Sequence, residues 1–154
     1  MNKIMNLCAF VLIFLFAACG LSYSEAIDIG KLVDSFQGAT DLQKNQILQD
    51  NLGKEISAAG VVDNAGEYDF FDTVNDVKGT YYQASTEQQK TKNNTPYQVV
   101  FLFRDKDKAK DINKGQSVQK DGKIIKINDE RLQIAVWIFC GDLSEADKAL
   151  FKQN

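Results

Sequence analysis

Histidine is absent from the sequence, and cysteine and proline are scarce. The chain has no histidine, three cysteines and one proline among its 154 residues. The lack of histidine removes the commonest general base and the commonest nitrogen ligand of metal ions. No Walker loop, Gly-x-Gly-x-x-Gly or Gly-x-Ser-x-Gly motif occurs either. We therefore expect a binding protein and not an enzyme, with no metal and no cofactor.

Carboxylates are the remaining catalytic or metal-binding groups, and several cluster between Asp63 and Asp76. A hydrolase that uses carboxylates alone is one interpretation, and a calcium site is another. The spacing of these residues is not that of an EF-hand. Solvation of a turn and of strand edges explains the cluster better.

The first 26 residues have the composition of an export signal. Lys3 precedes an almost purely apolar run from Ile4 to Phe16, and small residues follow it. The run is shorter than the ~20 apolar residues of a membrane-spanning helix. We therefore expect an exported protein that is periplasmic or lipid-anchored in the cell envelope.

Two processing sites fit this signal. The segment from Leu15 to Cys19 resembles the lipobox of bacterial lipoproteins, with Phe16 where leucine is favoured, and would make 1–18 the signal and Cys19 an acylated membrane anchor. Cleavage after Ala26 would instead remove residues 1–26. Either route leaves Cys140 as a single thiol, which its apolar surroundings predict to be buried and structural.

The pattern beyond the signal predicts a mainly β domain at 41–154, after a linker or short helix at 27–40. Apolar residues alternate with polar ones in five segments, which predicts strands at 55–62, 68–74, 97–103, 117–127 and 131–138. Helical patterns occupy 27–39, 41–51, 105–112 and 143–151. Residues 63–66 have turn chemistry, and the polar stretch 84–96 predicts a mobile loop. Three strands, a helix and two strands, with helices at both ends, is the order of the five-stranded OB-fold Greek-key barrel.

Five short motifs lie on or beside the predicted strands of this domain. They are Gly53-Lys54, Gly60-Val61-Val62, Lys114 to Val118, Gly122-Lys123-Ile124 and Cys140 to Leu143. With these motifs, the segment from Leu42 to Leu143 resembles the exported OB-fold proteins grouped as the tRNA-anti-like family. The resemblance implies a barrel that could bind a ligand.

Candidate ligand-binding residues follow from the faces and loops that OB-folds use for binding. Most aromatic residues on strands two and three are expected to fill the barrel and to lie under the terminal helices. The pair beside the polar loop is expected to be the most exposed, on the face where OB-folds stack their ligands. The turn after strand one and the tip between strands four and five add polar candidates. The candidate set is Phe71, Tyr81, Tyr82, Asn64, Glu67, Asn128, Asp129, Glu130 and Arg131.

The charge pattern separates two hypotheses of function. Residues 104–131 carry nine lysines and arginines against six acids, within a chain whose net charge is −3. Because the two signs are interleaved, a solvated surface is the favoured interpretation. Our leading hypothesis is a non-enzymatic OB-fold binding module of the bacterial envelope that recognises a protein, a glycan or another extended ligand. The alternative is an OB-fold that binds single-stranded nucleic acid.

Overall fold

A computed structural model describes residues 27–72, 77–130 and 132–151, without the side chains of 70–72, 77–78 and 149–151. These residues form four helices and six strands. The helices are α1 (Ile29–Gln37), α2 (Asp41–Asn51), α3 (Lys106–Ala109) and α4 (Glu145–Phe151). The strands are β1 (Glu55–Asp72), β2 (Val77–Thr86), β3 (Gln89–Lys90), β4 (Pro96–Phe103), β5 (Ser117–Glu130) and β6 (Gln133–Phe139). The expectation of a mainly β fold with flanking helices is confirmed.

All six strands belong to one sheet that partly closes into a ring. The order of neighbours is β2-β1-β5-β6-β4-β3, and β2 also pairs with β4. The β4–β6 pair is parallel, whereas the other pairs are antiparallel. The inner face of the ring holds the main core, whose fully buried members include Val62, Ala84, Val99, Phe101, Ile124, Ile134, Val136 and Ile138.

The first strand is much longer than the sequence predicts. The expected turn at 63–66 is extended, so that residues 68–72 of the predicted strand at 68–74 are the second half of β1, and residues 73–74 lie outside the described ranges. The register with β2 shifts between Val62 and Asn64, which marks a β-bulge. A bulge accepts an extra residue while the strand continues. Gly60 lies close to Thr86 of β2, since an added Cβ would come 2.6 Å from the Thr86 Cγ2.

The hairpin of β5 and β6 also extends further than predicted. Residues 128–130 are the last part of β5 and not a loop. Alternation along the predicted strand at 131–138 places Leu132, Ile134, Val136 and Ile138 on one face. The last three line the core, but Leu132, which precedes β6, is 83% exposed. Leu42 of α2 is 81% exposed.

A second apolar cluster covers the outer face of the sheet. Its buried members are Tyr81, Leu102, Ile125 and Phe139, and Tyr68, Trp137 and Leu143 pack against them. Tyr81 is therefore a core residue and not an exposed ligand-binding side chain as predicted. Its ring meets that of Phe139 edge-to-face, with 6.2 Å between the centroids.

The last helix is held to this outer face by the buried carboxylate of Asp147. Ser144 and Asp147 form the expected capping arrangement, because the Ser144 backbone N–H donates to the Asp147 Oδ2 and the Asp147 N–H donates to the Ser144 Oγ. The same carboxylate accepts a hydrogen bond from the Tyr81 hydroxyl at 2.8 Å and pairs with Arg104. Burial of this charge is tolerated because several donors surround it.

We predict that Tyr81→Phe destabilises the fold by about 1–3 kcal/mol, because the buried Asp147 carboxylate loses a donor. Tyr82→Phe is the matched control, since the Tyr82 hydroxyl makes no hydrogen bond to a described residue. Urea unfolding followed by circular dichroism measures both changes. Equal losses of stability in the two variants would contradict the assigned role of Tyr81.

Candidate functional site

A polar cleft lies where the β5–β6 turn, the end of α1 and the turn before β4 meet. Its volume is about 540 Å³. We call it the amide cleft, and the residues that line it are Gln37, Asn93, Asn94, Thr95, Pro96, Asp129, Glu130, Leu132 and Gln133. It contains two residues of the candidate set, Asp129 and Glu130.

One wall of the cleft is the turn at 91–95, which Asp34 of α1 holds in place. The Asp34 carboxylate accepts hydrogen bonds from the Thr91 hydroxyl at 2.6 Å, the Thr95 hydroxyl at 2.7 Å and the Asn93 side-chain amide at 2.8 Å. These bonds favour the ionised carboxylate, and those from Thr91 and Thr95 contribute most to lowering the pKa of Asp34. The stretch predicted to be a mobile loop is thus a tethered turn.

The opposite wall comes from the end of β5. Asp129 forms an ion pair with Lys44 of α2, which ties this wall to the helix. Glu130 accepts a hydrogen bond from the Asn128 side chain at 3.3 Å. Asn128 in turn accepts one from the Trp137 indole N–H at 3.1 Å. Asp129 is thus attached directly to α2, whereas Glu130 is bound to Asn128 of its own strand, which in turn is bound to Trp137 of β6.

A row of glutamine amides continues from the cleft across the neighbouring strands. Gln133 accepts a hydrogen bond from the Gln88 amide at 3.0 Å and donates one to Gln98 of β4. Each amide in such a row carries both donors and an acceptor. The row can therefore exchange hydrogen bonds with hydroxyl or peptide groups laid along it.

The chemistry of the cleft is that of hydrogen bonding with little apolar contact. Among the described residues, the Gln37 and Asn94 side chains have no hydrogen-bond partner. Leu132, which is largely exposed, and Pro96 provide small apolar patches. Asn94 has a positive φ of 63°, a conformation that asparagine tolerates better than most residues. Such a site can orient a polar ligand, and its lining contains no aromatic platform.

The candidates from the first hairpin lie around a different and smaller cavity. This cavity, of about 220 Å³, is lined by Glu67, Tyr82 and Lys106 among others, and it shares no lining residue with the amide cleft. Glu67 pairs with Lys106 at 3.6 Å, and the Lys106 ammonium lies 5.9 Å from the Tyr82 ring centroid. Asn64 is exposed on β1 at the bulge. The structure therefore does not unite the two sets of candidates in one site.

Three predicted site positions lie outside what the structure describes. They are the Phe71 side chain, Arg131 and the lipidation candidate Cys19.

Sequence reasoning missed the residues of the tethered turn and the glutamine row. Asn93, Asn94 and Thr95 were part of a polar stretch that predicts a loop, and only the position of Asp34 turns that loop into a wall. The run of asparagine and threonine at 93–95, directly before a buried strand, was the feature of the sequence that could have indicated a polar site. Cys140 is half-buried, and its burial raises the pKa of the thiol to about 12, which fits a structural thiol.

Comparison with protein-family models, with curated proteins and with solved structures gives no match. Within the ranges that the structure describes, no group of three or more cysteine, aspartate or glutamate side chains is arranged to hold a metal ion. In the same ranges no helix has the length and apolar character needed to cross a membrane.

We predict that acid loosens the amide cleft through Asp34. A carboxylate whose pKa is lowered by folding adds stability above its unfolded pKa, and this contribution is lost as the pH falls through the folded value. Asp34→Asn should therefore remove part of the loss of stability that the wild type shows below about pH 4. The measurement is the urea midpoint at several pH values, followed by the fluorescence of Trp137.

Asp111→Asn is the control for this prediction, because Asp111 is exposed after α3 and far along the chain from the tethered turn. An unchanged pH dependence in Asp34→Asn would show that the carboxylate does not hold the turn.

Proposed function

We propose that this chain is a non-enzymatic OB-fold binding module of the bacterial cell envelope, and that its amide cleft binds an extended, hydroxyl-rich ligand, best represented by a glycan. The observation that carries the proposal is the amide cleft itself. Its walls belong to separate elements tied by Asp34 and by the Lys44–Asp129 ion pair, so the polar groups are held in place before a ligand arrives.

The order and connections of the strands support the proposal that the sheet is an OB-fold. An OB-fold is a five-stranded Greek-key barrel. Here β1, β2, β4, β6 and β5 follow one another around the ring, and α3 connects β4 to β5. The two-residue β3 is an addition at the start of β4. Four of the motifs that resemble the tRNA-anti-like family lie on or directly before β1 and β5, which pair along 55–61, and the fifth follows β6.

A glycan suits the cleft better than a charged polymer does. Side-chain amides and carboxylates accept and donate the hydrogen bonds that sugar hydroxyls need. The carboxylates of Asp129 and Glu130 would repel phosphates. The open shape of the cleft also fits a chain that enters and leaves at its ends.

Ion pairs within the basic segment at 104–131 make nucleic acid a less favourable ligand. Lys106, Lys110 and Lys114 each form an ion pair, with Glu67, Asp107 and Asp63. These pairs offset the positive charges that would release counterions from a phosphate backbone. We therefore interpret the interleaved acidic and basic residues of 104–131 as a solvated surface and not as a binding site for phosphates.

The test is a titration of the ¹⁵N-labelled domain 27–154 with chitotetraose, a soluble analogue of envelope glycan, followed by amide chemical shifts. We expect the shifts to concentrate at 93–95 and 129–133. Asn94→Gly removes the amide while keeping a residue that accepts a positive φ, and it should weaken binding about fivefold. Gln49→Ala, on the exposed side of α2, is the control that should bind as the wild type does.

A second arm uses oligo-dT at low and high salt. Tight binding of oligo-dT that weakens steeply with salt, with no shifts from chitotetraose, would replace the glycan proposal by the nucleic-acid alternative. Shifts from chitotetraose at the 220 Å³ cavity alone would move the site to the Tyr82 side of the sheet.

The envelope location is tested separately by the intact mass of the mature protein. An acylated chain that begins at Cys19 would establish the lipid anchor, and an unmodified chain that begins at Ile27 would establish release after cleavage at Ala26. A full-length chain that retains residues 1–26 in the cytoplasm would overturn the proposed location.

A further inference from the structure

A second cavity, separate from the amide cleft, lies between the end of α2, the middle of β5 and the start of α4. Its volume is about 360 Å³, within the range of small-ligand pockets. The two cavities share no lining residue. Its lining is mixed and consists of two leucines, two isoleucines, one glycine and two lysines.

A β-bulge accounts for the apolar floor of this cavity. The register of β5 against β6 shifts between Ile124 and Lys126, and Ile125 is the extra residue. Ile124 belongs to the inner core, whereas Ile125 belongs to the outer cluster, so the two isoleucines face opposite sides of the sheet. Both residues belong to the lining, and Ile125 is the one whose side chain lies on the same side of the sheet as Leu143.

The side walls are fixed to β5 and to the outer cluster. The Gly53 N–H donates to the Ile124 carbonyl at 2.7 Å, which holds the Leu52–Gly53 wall against the strand. Gly53 has a φ of +77°, which glycine adopts without strain. Leu143, on the other side, is half-buried against the outer cluster. The walls are therefore present without a ligand.

Two ammonium groups belong to this apolar cavity. Lys123 has no ion-pair partner among the described residues, although Glu55 lies opposite it in the register of β1 and β5. Lys148 pairs with Glu145 at 2.7 Å on an exposed part of α4. A cavity with leucines on its walls and the ammonium of Lys123 at its edge is complementary to an amphiphile with an anionic head, because the chain leaves water while the head gains a counter-charge.

We propose that this cavity binds a single-chain alkyl carboxylate, with its chain over Ile125 between Leu52 and Leu143 and its carboxylate at Lys123 and Lys148. Each methylene that leaves water favours binding, and the lysines select the sign of the head group. This site is independent of the glycan proposal, since it uses other residues on another part of the surface.

The test is a titration of domain 27–154 with decanoate and with decyltrimethylammonium, both below their micelle concentrations, followed by amide chemical shifts. We expect decanoate to shift residues 52–53, 123–125 and 143 and the cationic amphiphile to bind at least several-fold more weakly. Lys123→Gln should weaken decanoate binding about threefold, and Lys148→Gln should weaken it less, because Glu145 already offsets the charge of Lys148. Lys108→Gln, on exposed α3, is the matched control and should leave binding unchanged.

Three outcomes would overturn the proposal. One is equal binding of the two amphiphiles, and another is an equal effect of Lys108→Gln and Lys123→Gln. The third is binding to vesicles of phosphatidylglycerol without any shift from decanoate, which would indicate a membrane surface as the ligand. Loss of chitotetraose binding with intact decanoate binding would overturn the glycan proposal alone.

Discussion

The position of β4 between β2 and β6 is the constraint on which the rest of the structure depends. β4 pairs antiparallel with β2 and parallel with β6, and these two pairings draw the ends of the sheet together. A strand with neighbours on both edges and packing on both faces needs apolar residues throughout. Residues 99–103 are accordingly all buried, with Val99, Phe101 and Phe103 in the inner core and Leu102 in the outer cluster.

Closure of the ring also explains where the cavities of the protein lie. In the described part of the chain, apolar side chains fill the inner face, and the two cavities considered above lie at the rim and on the outer face. The amide cleft occupies one such place, where the β5–β6 turn meets the turn before β4. The apolar cavity occupies another, where the bulge of β5 lies between two helices. The two cavities differ in their lining residues. The first is lined largely by polar residues of turns, whereas the second includes Ile125 and Leu143 of the outer cluster.

The buried carboxylate of Asp147 and the more exposed carboxylate of Asp34 illustrate two ways of attaching helices to the sheet. Asp147 joins α4 to β2 through Tyr81 and is enclosed by donors. Asp34 joins α1 to the 91–95 turn and remains near solvent, where its hydrogen bonds lower its pKa. Loss of the first removes a partner from a buried charge. Loss of the Asp34 carboxylate loosens a wall at the surface. This costs less than a buried loss, because water can replace the hydrogen bonds that Asp34 makes.

Local patterns in the sequence determined the mainly β class, the helix positions, the inward face of β4 and β6, and the Ser144–Asp147 cap. These features rest on alternation and on contacts within a few residues, which a sequence displays directly. The tertiary structure decided that β1 runs through a turn-like segment, that Tyr81 is buried and that a polar loop becomes a wall of the amide cleft. Each of these depends on a partner far along the chain: β2 for the bulge, Asp147 for Tyr81, and Asp34 for the turn. Alternation cannot reveal such partners, because it records which face a residue takes and not what covers that face.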